Sequence, residues 1–395
     1  MSDSNRVQVS VLEESAWGTT PNSAFSELPI VSGSMSESPS TVRSNQLRSD
    51  AQYAATKRVS VEPQAAFEFE LQGDNLDTLI RAALRNSSSN DWSTNASYSA
   101  STVAAGASNT YEDSAVDLTG VNIAAGQWIY VSGFTEAANN GWKEVASVST
   151  NTITLASGST TTTEALGDAV TMVGSYIRNG SDLTSFSVQM EYLDQTNLFR
   201  LMAGSRISSL GLNVASQSII TGNIGFSGKS MTRPTSKSGN GSVTAATAND
   251  VMSEVDSFDG FWIDGAEVTT YEMISTNLNI STNPRPQMGL GNLAKVGMQL
   301  GPLEVSGSME FYLEDANYAT LQDMLLNYTS FELAWAVNDG NGHRYHVMLP
   351  KCYLTSEPGT VPGVDSDVLL SFDFSAEPST IGSETKTIQV TRVSP

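Results

Sequence analysis

The sequence is poor in cysteine, histidine and positive charge. Its 395 residues include one cysteine, Cys352, and two histidines, His343 and His346. A single cysteine excludes an internal disulfide framework and a zinc site built on several cysteines. The 20 Lys and Arg residues stand against 42 Asp and Glu residues, which gives a formal net charge of −22. This excess of negative charge argues against a partner that is held through its phosphates.

Long apolar runs are also missing. No window approaches ~18 consecutive apolar residues, so no transmembrane helix is predicted. Residues 1–20 contain no basic stretch followed by an apolar run, so no signal peptide is predicted. Only 16% of the residues are charged, and the surface must therefore consist largely of Ser, Thr, Asn and Gly. These features favour a structural or assembling β protein that is made in a reducing cytoplasm.

Apolar and polar residues alternate along most of the chain. Clear examples are residues 67–71, 128–131, 152–155 and 368–374, and Asn-Gly or Asp-Gly turn residues separate such runs. This pattern is typical of antiparallel sheets in sandwiches or barrels. Helical spacing is limited to two segments, in which apolar residues recur three and four positions apart: Leu71, Leu76, Leu79, Ile80, Ala83 and Leu84, and Leu313, Leu321, Met324, Leu325 and Tyr328.

The two helical segments belong to an internal duplication. In the first copy, residues 67–71 form a strand-like run that precedes Asn75 and Leu79, and residues 309–313 precede Asn317 and Leu321 in the same way. Further strand-like runs follow in matching order, with 186–192 paralleling 331–337 and 219–227 paralleling 368–375. Two alternatives to this duplication are a chance match, because short β patterns match many sequences, and a different alignment, because Leu193, Asn197 and Leu201 repeat the helical spacing. The matching order of the flanking strands favours the duplication.

The fold class predicted from these patterns is mainly β. It consists of two tandem β-sandwich or barrel domains, each with a flanking α-helix, and a small inserted β-barrel-like domain. The predicted boundaries are an N-terminal arm at 1–27, a first domain at 28–86 plus 183–236, an inserted domain at 87–182, a linker at 237–269, a second domain at 270–380 and a C-terminal arm at 381–395.

The inserted domain is expected to project from the outer surface, since loops are where insertions are tolerated. Residues 86–108, rich in Ser, Asn, Thr and Ala, read as its linker. Short predicted strands follow at 127–134, 142–149, 151–156 and 169–174.

The candidate motifs for catalysis or cofactor binding lack the residues or the geometry that these functions require. Gly228-Lys229-Ser230 suggests a phosphate loop, but Asn223 stands where the motif needs glycine, and Pro234 prevents the helix that must follow. His343 and His346 point to opposite faces of a strand, so they do not converge on a metal. Cys352 is expected to be a small buried residue.

Two small groups of acidic residues lie close together in the sequence: Asp256, Asp259 and Asp264, and Asp365 and Asp367. Both lack the ligand repeat and closing Glu of a calcium loop. No pair of acids is singled out for glycoside chemistry. No Gly-x-Ser-x-Gly elbow occurs. No catalytic residue, cofactor or metal is therefore predicted, and the chain is not expected to be an enzyme.

The order of these features resembles that of a known family. An acidic, cysteine-poor β chain carries a duplicated strand–helix unit, a long polar loop between two strands, and the segments 126–134, 138–142 and 219–229. Together they resemble the major tail proteins, or tail tube proteins, of long-tailed, non-contractile bacteriophages. The resemblance extends from about Val9 to Pro378.

The resemblance implies an assembly. Tube domains of this family form six-membered rings that enclose a lumen, and the rings stack through long loops. A chain with two tube domains would need three copies per ring, so a trimer with pseudo-sixfold symmetry is favoured over a hexamer. The loops that match are 43–63 and 284–302, and the residues expected to take part in stacking are Arg43, Gln46, Arg48, Tyr53, Lys57, Arg58, Arg285, Gln287, Met288, Asn292 and Lys295.

The resemblance also implies partners and a location. The chain would bind copies of itself and the tape-measure, tail terminator and tip proteins, and phage DNA would pass through the tube without specific binding. An acidic lumen would repel the DNA. The protein would be made in the bacterial host cytoplasm and located in the virion tail, without insertion into a membrane.

The alternative function belongs to a different class. A carbohydrate- or receptor-binding β-sandwich could use Trp128 and Trp142 of the inserted domain as stacking platforms. Both residues also fit core positions, because each lies in a strand-like run. A secreted depolymerase fits less well, since the duplicated small-domain plan offers no obvious cleft with paired acids.

Overall fold

The structure is a computed structural model, and it describes residues 3, 6–87, 92, 95–253, 258–269, 273–357, 363–364 and 367–395. All structural statements refer to these residues. Asp256 and Asp365, two of the acids considered above, lie outside them, as do parts of the predicted linkers and domain boundaries.

The chain is mainly β, as the alternating pattern predicts. The first group of elements precedes the insertion: β1 (Val7–Glu13), β2 (Phe25–Leu28), β3 (Ser32–Arg43), β4 (Thr56–Glu70) and helix α1 (Asp77–Ala83). The second group lies in the insertion: β5 (Asn95–Ala100), β6 (Ala104–Gly106), β7 (Thr110–Glu112), β8 (Trp128–Ser132), β9 (Gly141–Val148), β10 (Thr152–Leu155) and β11 (Val170–Arg178).

The remaining elements follow the insertion. The first of them are β12 (Phe186–Tyr192), β13 (Phe199–Ala215), β14 (Thr221–Ser227), β15 (Ser230–Thr232), β16 (Val243–Thr244), β17 (Phe258–Ile263), β18 (Ala266–Glu267) and β19 (Met273–Ser281). The last are β20 (Arg285–Gln287), β21 (Gly297–Gln299), β22 (Glu304–Tyr312), helix α2 (Asp315–Leu326), β23 (Phe331–Asn338), β24 (Arg344–Ser356), β25 (Leu369–Ala376), β26 (Ser379–Ile381), β27 (Glu384–Lys386) and β28 (Gln389–Val393).

Two sets of elements have the same order of antiparallel pairings. In the first unit, defined here as β3, β4, α1 and β12–β14, the pairs are β3–β4, β4–β14, β14–β13 and β13–β12. In the second unit, defined as β19, β22, α2 and β23–β25, they are β19–β22, β22–β25, β25–β24 and β24–β23. The irregularities also match, since the register shifts between Phe186 and Val188 in one unit and between Phe331 and Leu333 in the other.

The alternating sequence places the apolar side chains of each unit in a shared core. In β4, Phe67 and Phe69 are buried, whereas Glu68 between them is exposed. The corresponding strand β22 buries Met309 and Phe311. One hydrophobic cluster contains core residues of both units, so the two units fold against each other.

Strand pairing connects the parts of the chain at two places. Strand β13 pairs with β19 from Ser209↔Ser281 to Ala215↔Ser275, which joins the first unit to the second. Strand β28 lies between β11 and β24, which joins the inserted module (β5–β11) to the second unit. The module also has a hydrophobic core of its own.

Part of the segment that was predicted to be a linker forms strands. The predicted linker at 86–108 includes β5, which pairs with β11 along Asn95–Ala100, and β6. The linker prediction is wrong for these residues, because a segment of polar composition can still pair with a neighbouring strand. The segments predicted to be an N-terminal and a C-terminal arm contain β1, which pairs with β12, and β28.

Candidate assembly surfaces

Strand β3 forms a free edge. Along Ser32–Arg43 it pairs with β4, and on its other side no strand from the described residues pairs with it. Most of its side chains are exposed; Met35 is buried and Glu37 is half-buried. A long unpaired edge is a template for pairing with another chain, so β3 is a candidate contact between copies.

The loop between β3 and β4 projects from the first unit. The residues predicted to take part in stacking here, Arg43, Gln46, Arg48, Tyr53, Lys57 and Arg58, are all exposed. The Arg43 guanidinium lies 5.1 Å from the centre of the Tyr53 ring, and Arg48 pairs with Asp50. Leu47 at the tip is fully exposed. The loop thus offers both charged and apolar groups to a partner.

The matching loop of the second unit, between β19 and β22, rests on the first unit. The Val61 N–H donates to the Leu293 carbonyl at 3.1 Å, and Arg206 donates to the Met298 carbonyl. Of the residues predicted for this loop, Arg285, Gln287, Met288 and Asn292 are exposed. Lys295 is not: it is 4% exposed and its Nζ donates to Ser227 Oγ at 2.9 Å. Burial lowers the pKa of Lys295.

The first unit and the second unit are also joined through α1. The Tyr345 hydroxyl donates to Asp77 Oδ1 at 2.6 Å, and Arg392 pairs with Asp77 and with Asp74. His343 Nε2 lies 3.3 Å from Asp74 Oδ2. Asp77 and the apolar residues of α1 are buried under these contacts. The second unit therefore covers the helix of the first.

An aromatic cluster joins the inserted module to the second unit. His346 on β24 stacks on Trp128 at 4.4 Å between ring centres, and Trp142 and Trp262 lie at 4.8 and 5.4 Å. Trp128 and His346 are fully buried, and Trp142 is 6% exposed. The alternative in which Trp128 and Trp142 contact a ligand at the surface is therefore not supported, whereas core positions, the other interpretation given for both residues, agree with their burial under β17 and β24.

Two carboxyl groups, one on the inserted module and one on the second unit, repel each other across the same junction. Burial raises the pKa of Glu144 on β9 to about 7. Burial, with added repulsion from Glu144 and Asp264, raises the pKa of Glu332 on β23 to about 8. The Glu332 N–H also donates to Asp264 Oδ1 at 2.8 Å. Glu144 and Glu332 therefore stay protonated in the folded protein at pH values at which they have lost their protons in the unfolded chain.

These raised pKa values predict an alkaline loss of stability. In the unfolded chain a glutamate loses its proton near pH 4.5. The stability that the protonated Glu332 contributes is therefore fully present below that pH and is lost as the pH rises towards about 8. Glu332→Gln, which mimics the protonated form, is expected to be more stable than the unsubstituted protein at pH 8.5 and similar at pH 4.5. Urea unfolding at both pH values measures this, with Glu136→Gln at an exposed site as the control. Equal stability at pH 8.5 would contradict it.

Other kinds of site find little support. No group of three or more His, Cys, Asp or Glu side chains among the described residues is arranged to hold a metal ion. Cys352 is buried, and burial raises the pKa of its thiol. Neither α1 nor α2, nor any shorter helix within the described ranges, is long and apolar enough to span a membrane.

The features above define a structural β protein that offers surfaces for assembly. A family model described as phage tail tube protein matches residues 4–376 of the chain. The chain therefore belongs to the phage tail tube protein family, and it is a component of the virion tail. No curated protein matches it. The family resemblance predicted from the sequence is thus confirmed.

Proposed function

We propose that three copies of this chain form a ring and that the rings stack into the tail tube through which DNA is delivered to the host. Each chain supplies two tube domains, at 28–86 plus 183–236 and at 270–380, so the ring has pseudo-sixfold symmetry. The net charge of −22 supports a lumen that repels the phosphates of DNA. Tape-measure, terminator and tip proteins are the proposed tail partners.

The observation that carries this proposal is the pairing of β13 with β19. It joins the first unit to the second edge to edge within one chain. The repeat provides counterparts of both strands: β3 corresponds to β19, and the end of β24 at Ser356 corresponds to the point in β13, Ser209, where the pairing with β19 begins. We expect β3 of one copy to pair with β24 of the next. Such a head-to-tail contact closes into a ring when six successive units complete one full turn without a rise along the axis, and otherwise it continues as an open helix.

The strand registers specify which residues would meet. Ala65 pairs with Phe226 in the first unit and Gly307 pairs with Phe374 in the second, so Ala65 and Gly307 are equivalent positions of the repeat. Met35 pairs with Ala65, and Leu278 pairs with Gly307, so Met35 and Leu278 are equivalent as well. Ser38 therefore corresponds to Ser281, each three residues further along its strand.

The β-bulges in β13 and β24 align these two strands with each other. Ile207 pairs with Phe226 and Leu354 with Phe374, and in both strands a register shift follows immediately. Ser209 therefore corresponds to Ser356. Since Ser209 lies opposite Ser281 within the chain, Ser38 of one copy should lie opposite Ser356 of the next.

A cysteine pair tests this register. Ser38→Cys combined with Ser356→Cys is expected to give disulfide-linked trimers under oxidising conditions, because directly opposite residues of paired strands fall within disulfide range. Non-reducing electrophoresis and mass measurement detect them. Native Cys352 is buried and does not interfere.

The matched control is Ser38→Cys with Ser209→Cys. Ser209 already faces Ser281 of its own chain, so this pair should stay uncrosslinked. Equal crosslinking of both pairs, or none in protein that forms rings, would argue against the proposed edge contact. Rings with six chains would contradict the trimer.

The alternative, a carbohydrate- or receptor-binding protein, gains no support from the inserted module. Its two candidate platform residues, Trp128 and Trp142, are buried against the second unit. Family membership favours the tube as the function of the whole chain.

A further inference from the structure

The two helices differ in what covers them. At corresponding positions of the repeat, Leu71, Leu76 and Leu84 of the first unit are 2%, 2% and 0% exposed. Their counterparts in the second unit, Leu313, Tyr318 and Leu326, are 43%, 41% and 72% exposed. All three positions remain apolar or aromatic. The repeat thus retains a face for packing in the second unit, although nothing from the described residues buries it there.

The partner of this face is indicated by what covers α1. In the first unit, the connection between β23 and β24 and the start of β24 lie over the helix, through His343 near Asp74 and Tyr345 bonded to Asp77. Arg392 of β28 adds a second ion pair to Asp77. His343 and Tyr345 belong to the second unit, and β28 pairs with β24 of that unit, so elements of the second unit and the strand attached to it cover part of the helix of the first.

We propose that the apolar surface formed by Tyr318 and Leu326 of α2 and by Leu313, just before the helix, docks on the first unit of a second copy of this chain. The elements of the first unit that correspond to the cover of α1 are the connection between β12 and β13, residues 193–198, and the start of β13. This connection carries Leu193, which is 44% exposed and is available for an apolar contact. The inference rests on the proposed ring and adds a lateral contact outside the sheet edges.

Charge substitution tests the contact. Leu326→Asp is expected to weaken association between copies by about tenfold to a hundredfold, because it puts a carboxylate in place of a leucine that the proposed contact buries. Leu166→Asp is the matched control, since Leu166 is 60% exposed on the inserted module and should not affect association. Sedimentation velocity over a range of concentrations measures both. Equal association of the two variants would overturn the proposal.

A labelling experiment separates this contact from the ring itself. Cysteine placed by Leu326→Cys should react rapidly with a maleimide in the monomer and at least about tenfold more slowly in assembled protein, whereas Leu166→Cys should react at the same rate in both. Native Cys352 is buried and provides little background. Rings in which residue 326 stays reactive would overturn the α2 contact and leave the proposed ring standing. Protein that stays monomeric at high concentration would overturn both.

Discussion

Replacing His346 by phenylalanine is expected to remove most of the acid sensitivity that this residue gives the fold. Complete burial lowers the pKa of His346 from 6.5 to about 3. Neither ring nitrogen has a hydrogen-bond partner among the described residues, so the neutral imidazole is accommodated as an aromatic ring between tryptophans. A charged imidazolium at this position would be buried without compensation.

The direction follows from linkage. The folded state binds the His346 proton less readily than the unfolded state, so stability is full above about pH 6.5 and falls as the pH drops towards about 3. The loss is about 1.4 kcal/mol per pH unit, or about 3 kcal/mol at pH 4. His346→Phe should lack this loss, since phenylalanine keeps the stacking and cannot be protonated.

Urea unfolding at pH 7 and pH 4 measures the effect. Trp262→Phe is the control, because it perturbs the same cluster and leaves His346 in place, so it should lower stability at both pH values and keep the acid loss. An unchanged difference between pH 7 and pH 4 in His346→Phe would show that other groups govern the acid response.

Asp77→Ala is expected to lower the free energy of unfolding by about 2–3 kcal/mol. The carboxylate of Asp77 accepts from the Tyr345 hydroxyl and pairs with Arg392; Asp77 and Tyr345 are buried, and Arg392 is half-buried. Removal of the acid takes one hydrogen bond from a buried hydroxyl and one of two ion pairs from Arg392, which keeps its contact with Asp74.

Asp77→Asn separates charge from hydrogen bonding. The amide oxygen still accepts from Tyr345 but does not neutralise Arg392, so an intermediate loss is expected. Urea unfolding at pH 7 compares the three proteins. If Asp77→Ala were within 1 kcal/mol of the unsubstituted chain, the joint between the units would contribute little to stability, contrary to this account.

The sequence predicted those parts of the fold that depend on local patterns. Alternation predicts β4 and β22, and spacing three and four residues apart predicts both helices, because these periods report which face of an element is buried. The Asp-Gly and Asn-Gly residues at 339–342 are of the kind expected to separate alternating runs, and they connect β23 to β24.

The parts that sequence reasoning missed depend on distant segments. Trp128 is buried by Trp262 and His346, which lie far away in the chain, and no local pattern reveals this contact. Lys295 looks like an exposed loop residue until the first unit places Ser227 beside it. Strand β5 exists because β11 supplies its hydrogen-bonding partner, despite a composition typical of linkers.

The position of β28 has a consequence for how the protein is made. Residues 389–393 lie between β11 and β24, so they are synthesised after both of the strands that they hold together. On the ribosome, contacts such as those of Trp128 and Trp142 with His346 can bring the inserted module and the second unit together, but the sheet that connects them is completed only when this strand emerges. A chain whose translation stops early would lack this strand, and the segments of β11 and β24 that pair with it would be left without this partner.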